Sequence, residues 1–139
     1  MINQLGERES RALLARGVLG RLGCSDKGKP YVVPVYYLFD DDCVYAHSLS
    51  GHKIDILRAN PNACLQVDEI EDDYHWRSVI AFGYYEEVNE EAERERVLAS
   101  LFRRLPHLTP VESRAKDSAQ QIIVIRLRIT EITGVYESW

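Results

Sequence analysis

Two hydroxyls, a glycine, a histidine and a lysine fall within six residues at Ser48-Leu49-Ser50-Gly51-His52-Lys53, directly after an apolar run that ends in Ala46-His47. At a strand-to-helix turn these types suit a phosphate. The glycine lets the backbone approach an anion, the first helical turn presents free N–H groups, and Lys53 adds charge. His52 adds a second charge only when protonated. A second apolar run, residues 31–39, precedes this stretch. Together they suggest a phosphorylated cofactor lying against a β-surface. The same residues also read as a plain helix-capping loop with Lys53 in solvent.

The rest of the composition narrows the classes. A chain of 139 residues suits one domain spanning residues 1–139. Its 45% hydrophobic and 28% charged residues are those of a folded domain rather than a disordered one. A net charge of −5 with dispersed arginines argues against nucleic acid as a partner. No apolar stretch is long enough to span a bilayer, and the first residues have no signal-peptide pattern. Cys24, Cys43 and Cys64 are widely spaced in apolar contexts, without a C-x-x-C pair. They suggest neither a metal site nor a disulfide framework, and they fit a reducing cytoplasm.

The elements that must position the stretch follow from periodicity and turn chemistry. Residues 7–16 read as a helix with Leu13 and Leu14 inward and Gly17 as its stop. Strands are expected at 18–24, 31–39, 43–47, 63–67, 76–88 and 121–133. Turns fall at 25–30, around Asp26-Lys27-Gly28, and at 40–42. Pro34 cannot donate to a ladder, so its strand is an edge, a bulge or a ligand-facing stretch. Residues 51–58 read as a helix burying Ile54 and Leu57, and 68–73 as an acidic loop. In the 76–88 strand Val79, Ala81 and Gly83 share one face and Ser78, Ile80, Phe82 and Tyr84 the other. Asn89 is expected to cap a helix whose stripe is Val97, Leu98, Leu101 and Phe102, with residues 106–118 irregular beyond it. The last strand begins almost wholly apolar, which predicts burial on both faces there. About six mostly antiparallel strands and three helices predict a mainly β fold, a small barrel with helices packed outside.

The order of motifs is also informative. Gly20-Arg21-Leu22-Gly23 comes first, then Gly28-Lys29-Pro30-Tyr31-Val32-Val33-Pro34-Val35-Tyr36-Tyr37, then Val44-Tyr45-Ala46-His47-Ser48 and Gly51-His52-Lys53. Leu57-Arg58-Ala59-Asn60-Pro61, Cys64-Leu65-Gln66-Val67-Asp68 and Trp76-Arg77-Ser78-Val79 with Gly83 follow. This order resembles the FMN-binding split-barrel proteins related to pyridoxamine 5′-phosphate oxidase, most closely the nitroimidazole-resistance (Nim-like) branch. The resemblance spans roughly residues 10–135 and implies a six-stranded antiparallel split β-barrel with flanking helices. It further implies a homodimer with FMN at the interface.

Carried over by position, Val33, Pro34, Val35 and Tyr36 are similar to the strand that lies along the flavin ring. Ala46 and His47 match the neighbouring strand end, and Ser48, Gly51, His52 and Lys53 the phosphate end. Ser78 matches a polar position reaching the flavin, and Trp76 stands near it or in the core. His47 is the catalytic candidate, as proton donor or substrate contact, or else a hydrogen-bonded strand-end histidine. The implied activity is that of an FMN-dependent oxidoreductase, passing hydride from a nicotinamide donor to a nitroaromatic or quinone-like small molecule. Alternatives are a non-catalytic flavin or haem module, with His47 or His52 as axial ligand, use of the deazaflavin F420, and pyridoxamine phosphate oxidase-like activity. Two departures stand out. Val32 and His52 occupy positions where the oxidase carries arginines, and its C-terminal arginine- and histidine-bearing segment has no counterpart. His75 is expected in solvent, and Trp139 at a dimer contact or a frayed end.

Overall fold

The computed structural model describes residues 1–104 and 122–138. The expected irregular segment at 106–118 and Trp139 lie outside the described residues. The elements in order are β1 (Ile2–Gln4), α1 (Glu7–Arg16), β2 (Leu19–Asp26), β3 (Lys29–Tyr36), β4 (Leu38–Asp40), β5 (Cys43–Ser48), α2 (His52–Ala59), β6 (Asn62–Asp72), β7 (His75–Glu87), α3 (Glu91–Arg104) and β8 (Ile123–Glu137). The strands form one antiparallel sheet in the order β3-β2-β6-β7-β8-β5-β4, and β1 adds to the end of β8. The sheet curls so that β3 and β4 are its two edges while being nearly one strand, parted by Tyr37. The ladder does not close, and the result is a split barrel with flanking helices. Among the described residues no helix is long and apolar enough to cross a membrane.

Two tight turns set the registers that matter for the site. Asp26 pairs with Lys29, and the two residues between them, Lys27 and Gly28, have φ of 51° and 79°. Asp40 pairs with Cys43 across Asp41 and Asp42, with φ of 50° and 60°. Left-handed backbone at both central positions matches the right-handed twist of the flanking strands, which is why such turns close hairpins.

The structure departs from the sequence-based expectations in several places. Eight strands are present among the described residues, not six. The 31–39 run divides at Tyr37, whose phenol is 1% exposed and donates to the Leu14 carbonyl at 2.6 Å. That carbonyl belongs to the last turn of α1, where helical partners run out, so one side chain joins α1 to the corner of the barrel. Burial raises this phenol to about 12, chiefly by desolvation. Stability tied to it is therefore fully present below the ordinary phenol value of about 10 and is lost as pH climbs through the folded value. Tyr37→Phe strands the Leu14 carbonyl and is expected to cost about 1–3 kcal/mol, read by thermal or urea unfolding.

Residues 68–72, expected as an acidic loop, continue β6 instead. Their charge is offset by Arg16, which grips Glu69 with two bonds of 2.7 Å, and by Arg77 across the ladder at 3.8 Å. The cap of α3 is Glu90 rather than Asn89: its carboxylate accepts from the Ala92 and Glu93 N–H groups at 3.2 and 2.7 Å. His75 is partnered across the β6–β7 turn, Nδ1 lying 2.8 Å from Asp72 Oδ1.

The core forms as the periodicity predicts. Val79, Ala81 and Tyr85 of β7 face inward against Leu13, Leu14, Leu22, Leu65 and Leu127. Val124 in the first half of β8 is covered from the other side by Val97 and Leu101 of α3.

Candidate functional site

A groove of about 620 Å³ opens where the β3 edge meets the turn from β5 into α2. One wall is Val33, Pro34, Val35 and Tyr36 of β3, with Tyr31 before them and Leu19 of β2 opposite Tyr36. The far end is His47 and Ser48 at the close of β5, the linking Leu49 and Ser50, and Gly51, His52 and Lys53 at the start of α2. Of the three meanings expected for Pro34, the structure shows the edge: β3 is an edge strand, and Pro34 also lines the groove.

The apolar face of α2 fixes its position. Ile54, Ile56 and Leu57 are buried, at 1%, 5% and 1% exposure. Its far end is held by Arg58, whose Nε and terminal nitrogen donate to Glu87 at 2.7 and 2.9 Å. Asn60 adds a bond to the Ser25 carbonyl at 3.1 Å. The near end has no such ties. Gly51 offers no capping side chain, so the first-turn N–H groups face the groove mouth unclaimed by a cap. A Cβ on Gly51 would meet nothing within 4 Å, which leaves room for a ligand there.

Charge in the groove is one-sided. Its lining includes Lys53 and His52 and no carboxylate. Lys53 is half-buried and makes no ion pair among the described residues. Desolvation pushes its ammonium below the ordinary lysine range, only partly opposed by the nearby Cys24 thiol. A cation held in this way is under-compensated, and an anion placed at the α2 N-terminus would offset that cost. The Ser48 hydroxyl, 9% exposed, donates to the Leu49 carbonyl at 2.7 Å and so shapes the turn. His52 rests edge-on against Tyr31, ring centroids 5.1 Å apart at 87°. His47 rests edge-on against Phe102 of α3, 5.4 Å apart at 84°.

Nine of the twelve expected site residues line this groove: Val33, Pro34, Val35, Tyr36, His47, Ser48, Gly51, His52 and Lys53. Ala46 does not; at 3% exposure it is part of the core. Ser78 and Trp76 are elsewhere, because β2 and β6 lie between β7 and the β3 wall. The Ser78 hydroxyl accepts from Gln66 Nε2 at 3.0 Å, in a network with Asp68. The Trp76 indole donates to Glu137 at 3.1 Å, beside a different, acidic depression. Leu19 and Tyr31 also line the groove, although neither is among the expected site residues. Leu19 was nevertheless legible in principle, since a two-residue turn pairing Asp26 with Lys29 forces Leu19 opposite Tyr36. Among the described residues no cluster of His, Cys, Asp or Glu could hold a metal ion.

Comparison with known proteins adds the family. The chain is similar to an FAD-binding protein from Mesorhizobium loti, 30% identical over 100% of this chain and 98% of that one, TM-score 0.81. It is similar in fold to the FAD-binding protein from Mycobacterium smegmatis, 24% identical over 98% of each chain, TM-score 0.69. A candidate 5-nitroimidazole antibiotic resistance protein from Bacteroides thetaiotaomicron shares the fold at 19% identity, covering 98% of this chain and 88% of that one, TM-score 0.78. The family model described as pyridoxamine 5′-phosphate oxidase matches residues 6–135. Its span takes in the β3 wall, the β5–α2 turn and the sheet that carries them, and the chain belongs to the pyridoxamine 5′-phosphate oxidase-related family.

Proposed function

We propose that this protein binds FMN in the groove and acts as a flavin-dependent oxidoreductase on a small molecule such as a nitroaromatic or a quinone. The observation that carries this reading is Lys53: a half-buried cation with no carboxylate partner, at the uncapped start of α2, at the far end of a groove whose β3 wall is largely apolar. The family and the flavin-binding relative from M. loti support a flavin. Lys53 and the first-turn amides of α2 receive the phosphate. Val33, Val35, Tyr36 and Leu19 exclude water from one side of the ring system. His47, fixed against Phe102, stands where a proton can be offered to a bound substrate. When bound, the flavin itself supplies hydride transfer between a nicotinamide donor and the acceptor.

The visible spectrum of the purified protein, taken before and after excess FMN and desalting, tests the reading. Retained flavin bands support it. A Soret band transfers the site to haem, and a colourless protein after reconstitution removes the flavin.

The reading extends to a homodimer. Val32, Phe82 and Tyr84, at 66%, 38% and 51% exposure, line one apolar depression on the face of the sheet opposite the core. Such a patch, with exposed apolar side chains from β3 and β7, suits a second copy of the chain. This depression and the groove share Tyr31, so a partner seated on the face borders the cofactor. Phe82→Glu is expected to convert the dimer to monomer in sedimentation equilibrium; an unchanged mass removes this face from the interface. Three free thiols suit a reducing compartment, and the cytoplasm is the proposed location.

A further inference from the structure

We infer that Tyr31 is a positioning residue for phosphate recognition, acting through His52; the inference rests on the flavin reading above. His52 is exposed at the first position of α2 and, among the described residues, makes no hydrogen bond or ion pair. An exposed imidazole of this kind samples several rotamers, and ordering it on an anion costs entropy. The edge-on contact with Tyr31 restrains it beforehand. Tyr31 is well placed for this. It sits on β3 opposite Cys24, packed at the margin of the core, so its own ring is fixed by the ladder. It lines the groove on one side and the apolar sheet face on the other. The ring therefore holds the imidazole beside Lys53, at the end of the groove where the ligand's phosphate lies. A flavin lacking the phosphate gains nothing from this arrangement.

The experiment compares FMN and riboflavin binding by fluorescence quenching in the wild type, Tyr31→Leu, Tyr31→Phe, His52→Ala and the Tyr31→Leu/His52→Ala double variant. Tyr31→Leu is expected to weaken FMN about three- to tenfold, the fold-change of one lost edge-on aromatic contact, and to leave riboflavin unchanged. Tyr31→Phe keeps the ring edge and is expected to bind FMN as the wild type does. With His52 already replaced, Tyr31→Leu is expected to cost nothing more, because coupled residues do not add. Tyr31→Val, a residue equally suited to an edge strand, serves as the ring-less variant if Tyr31→Leu does not fold. Equal loss for FMN and riboflavin makes Tyr31 a ring contact and overturns the inference, as does a loss that persists without His52. Wild-type protein that binds neither ligand is a different failure: it removes the flavin reading itself and this inference with it.

Discussion

Lys53→Met is expected to weaken FMN binding about 10- to 100-fold while leaving riboflavin within twofold. One charge-assisted hydrogen bond to a phosphate is worth about 1.5–3 kcal/mol, which is that range of affinity. The same substitution is expected to stabilise the ligand-free protein. Lys53 is half-buried, with its ammonium held below the ordinary range by desolvation and without a carboxylate to offset that cost. The methylene stem is worth keeping buried and the charge is not. Methionine keeps the length and discards the charge, so the apo melting temperature should rise by about 2–4 °C if roughly 1 kcal/mol is recovered.

The pH dependence has a definite sign. A base whose folded-state pKa is lowered binds fewer protons folded than unfolded, so apo stability rises with pH between the lowered folded value and the ordinary lysine range. FMN favours the charged ammonium, so its affinity falls as pH passes upward through the lowered value, with proton uptake on binding in that window. Riboflavin titrations over the same range correct for ionisation of the ring system. A parallel loss of riboflavin and FMN, or a lower apo melting temperature, contradicts the assignment of Lys53 to the phosphate.

Gly83→Ala is expected to be the most damaging single-methyl change in the sheet. A Cβ at this position meets the Arg128 carbonyl oxygen at 2.2 Å, its carbon at 2.8 Å and the Ile129 Cα at 3.1 Å. All three are backbone atoms, so no rotamer change relieves the clash. The cause is a bulge: Phe82 pairs with Glu131 but Gly83 pairs with Ile129, so β8 carries one extra residue and leans over β7. The Thr130 hydroxyl bonds back to the Phe82 carbonyl at 3.3 Å and holds the lean in place. Forcing the strands apart here disturbs the long β7–β8 ladder on which the sheet depends. The expected cost is about 3 kcal/mol, the upper end for overpacking, or roughly 10 °C in melting temperature. Gly6→Ala is the matched control, since a Cβ there meets nothing within 4 Å. Equal melting temperatures for the two variants would mean that β8 yields without cost.

Much of the fold was legible because its signals are local. The α1 span and its stop at Gly17, the two hairpin turns, the buried side of α2 and the alternation along β7 all follow from residues a few positions apart. Where the structure differs from those local signals, distant partners are the reason. The acidic run 68–72 has every local mark of a loop, yet Arg16 from α1 and Arg77 from β7 make it tolerable as strand. Asn89 is the better capping residue by type, but the helix begins one residue later, and the Glu90 carboxylate takes the first-turn N–H groups instead. The division of β3 from β4 at Tyr37 needs the Leu14 carbonyl on the other side of the corner, which no window of sequence contains.

The same distinction applies to the site. The strand end, the glycine and the helix start from His47 to Lys53 that form the far end of the groove were legible because they are contiguous in the chain. The β3 wall was legible through Pro34 and its apolar neighbours. Which other residues reach the groove was decided by strand order. Two strands inserted between β3 and β7 carry Ser78 and Trp76 away from it, and hairpin register brings Leu19 in. The contact of Tyr31 with His52 joins residues far apart in sequence, and it exists only because α2 packs back over the β2–β3 hairpin. Sequence by itself determined the local chemistry and the shapes of the elements, since those depend on neighbours along the chain. Tertiary structure alone decided which faces meet, because pairing order and register are set by the whole sheet at once.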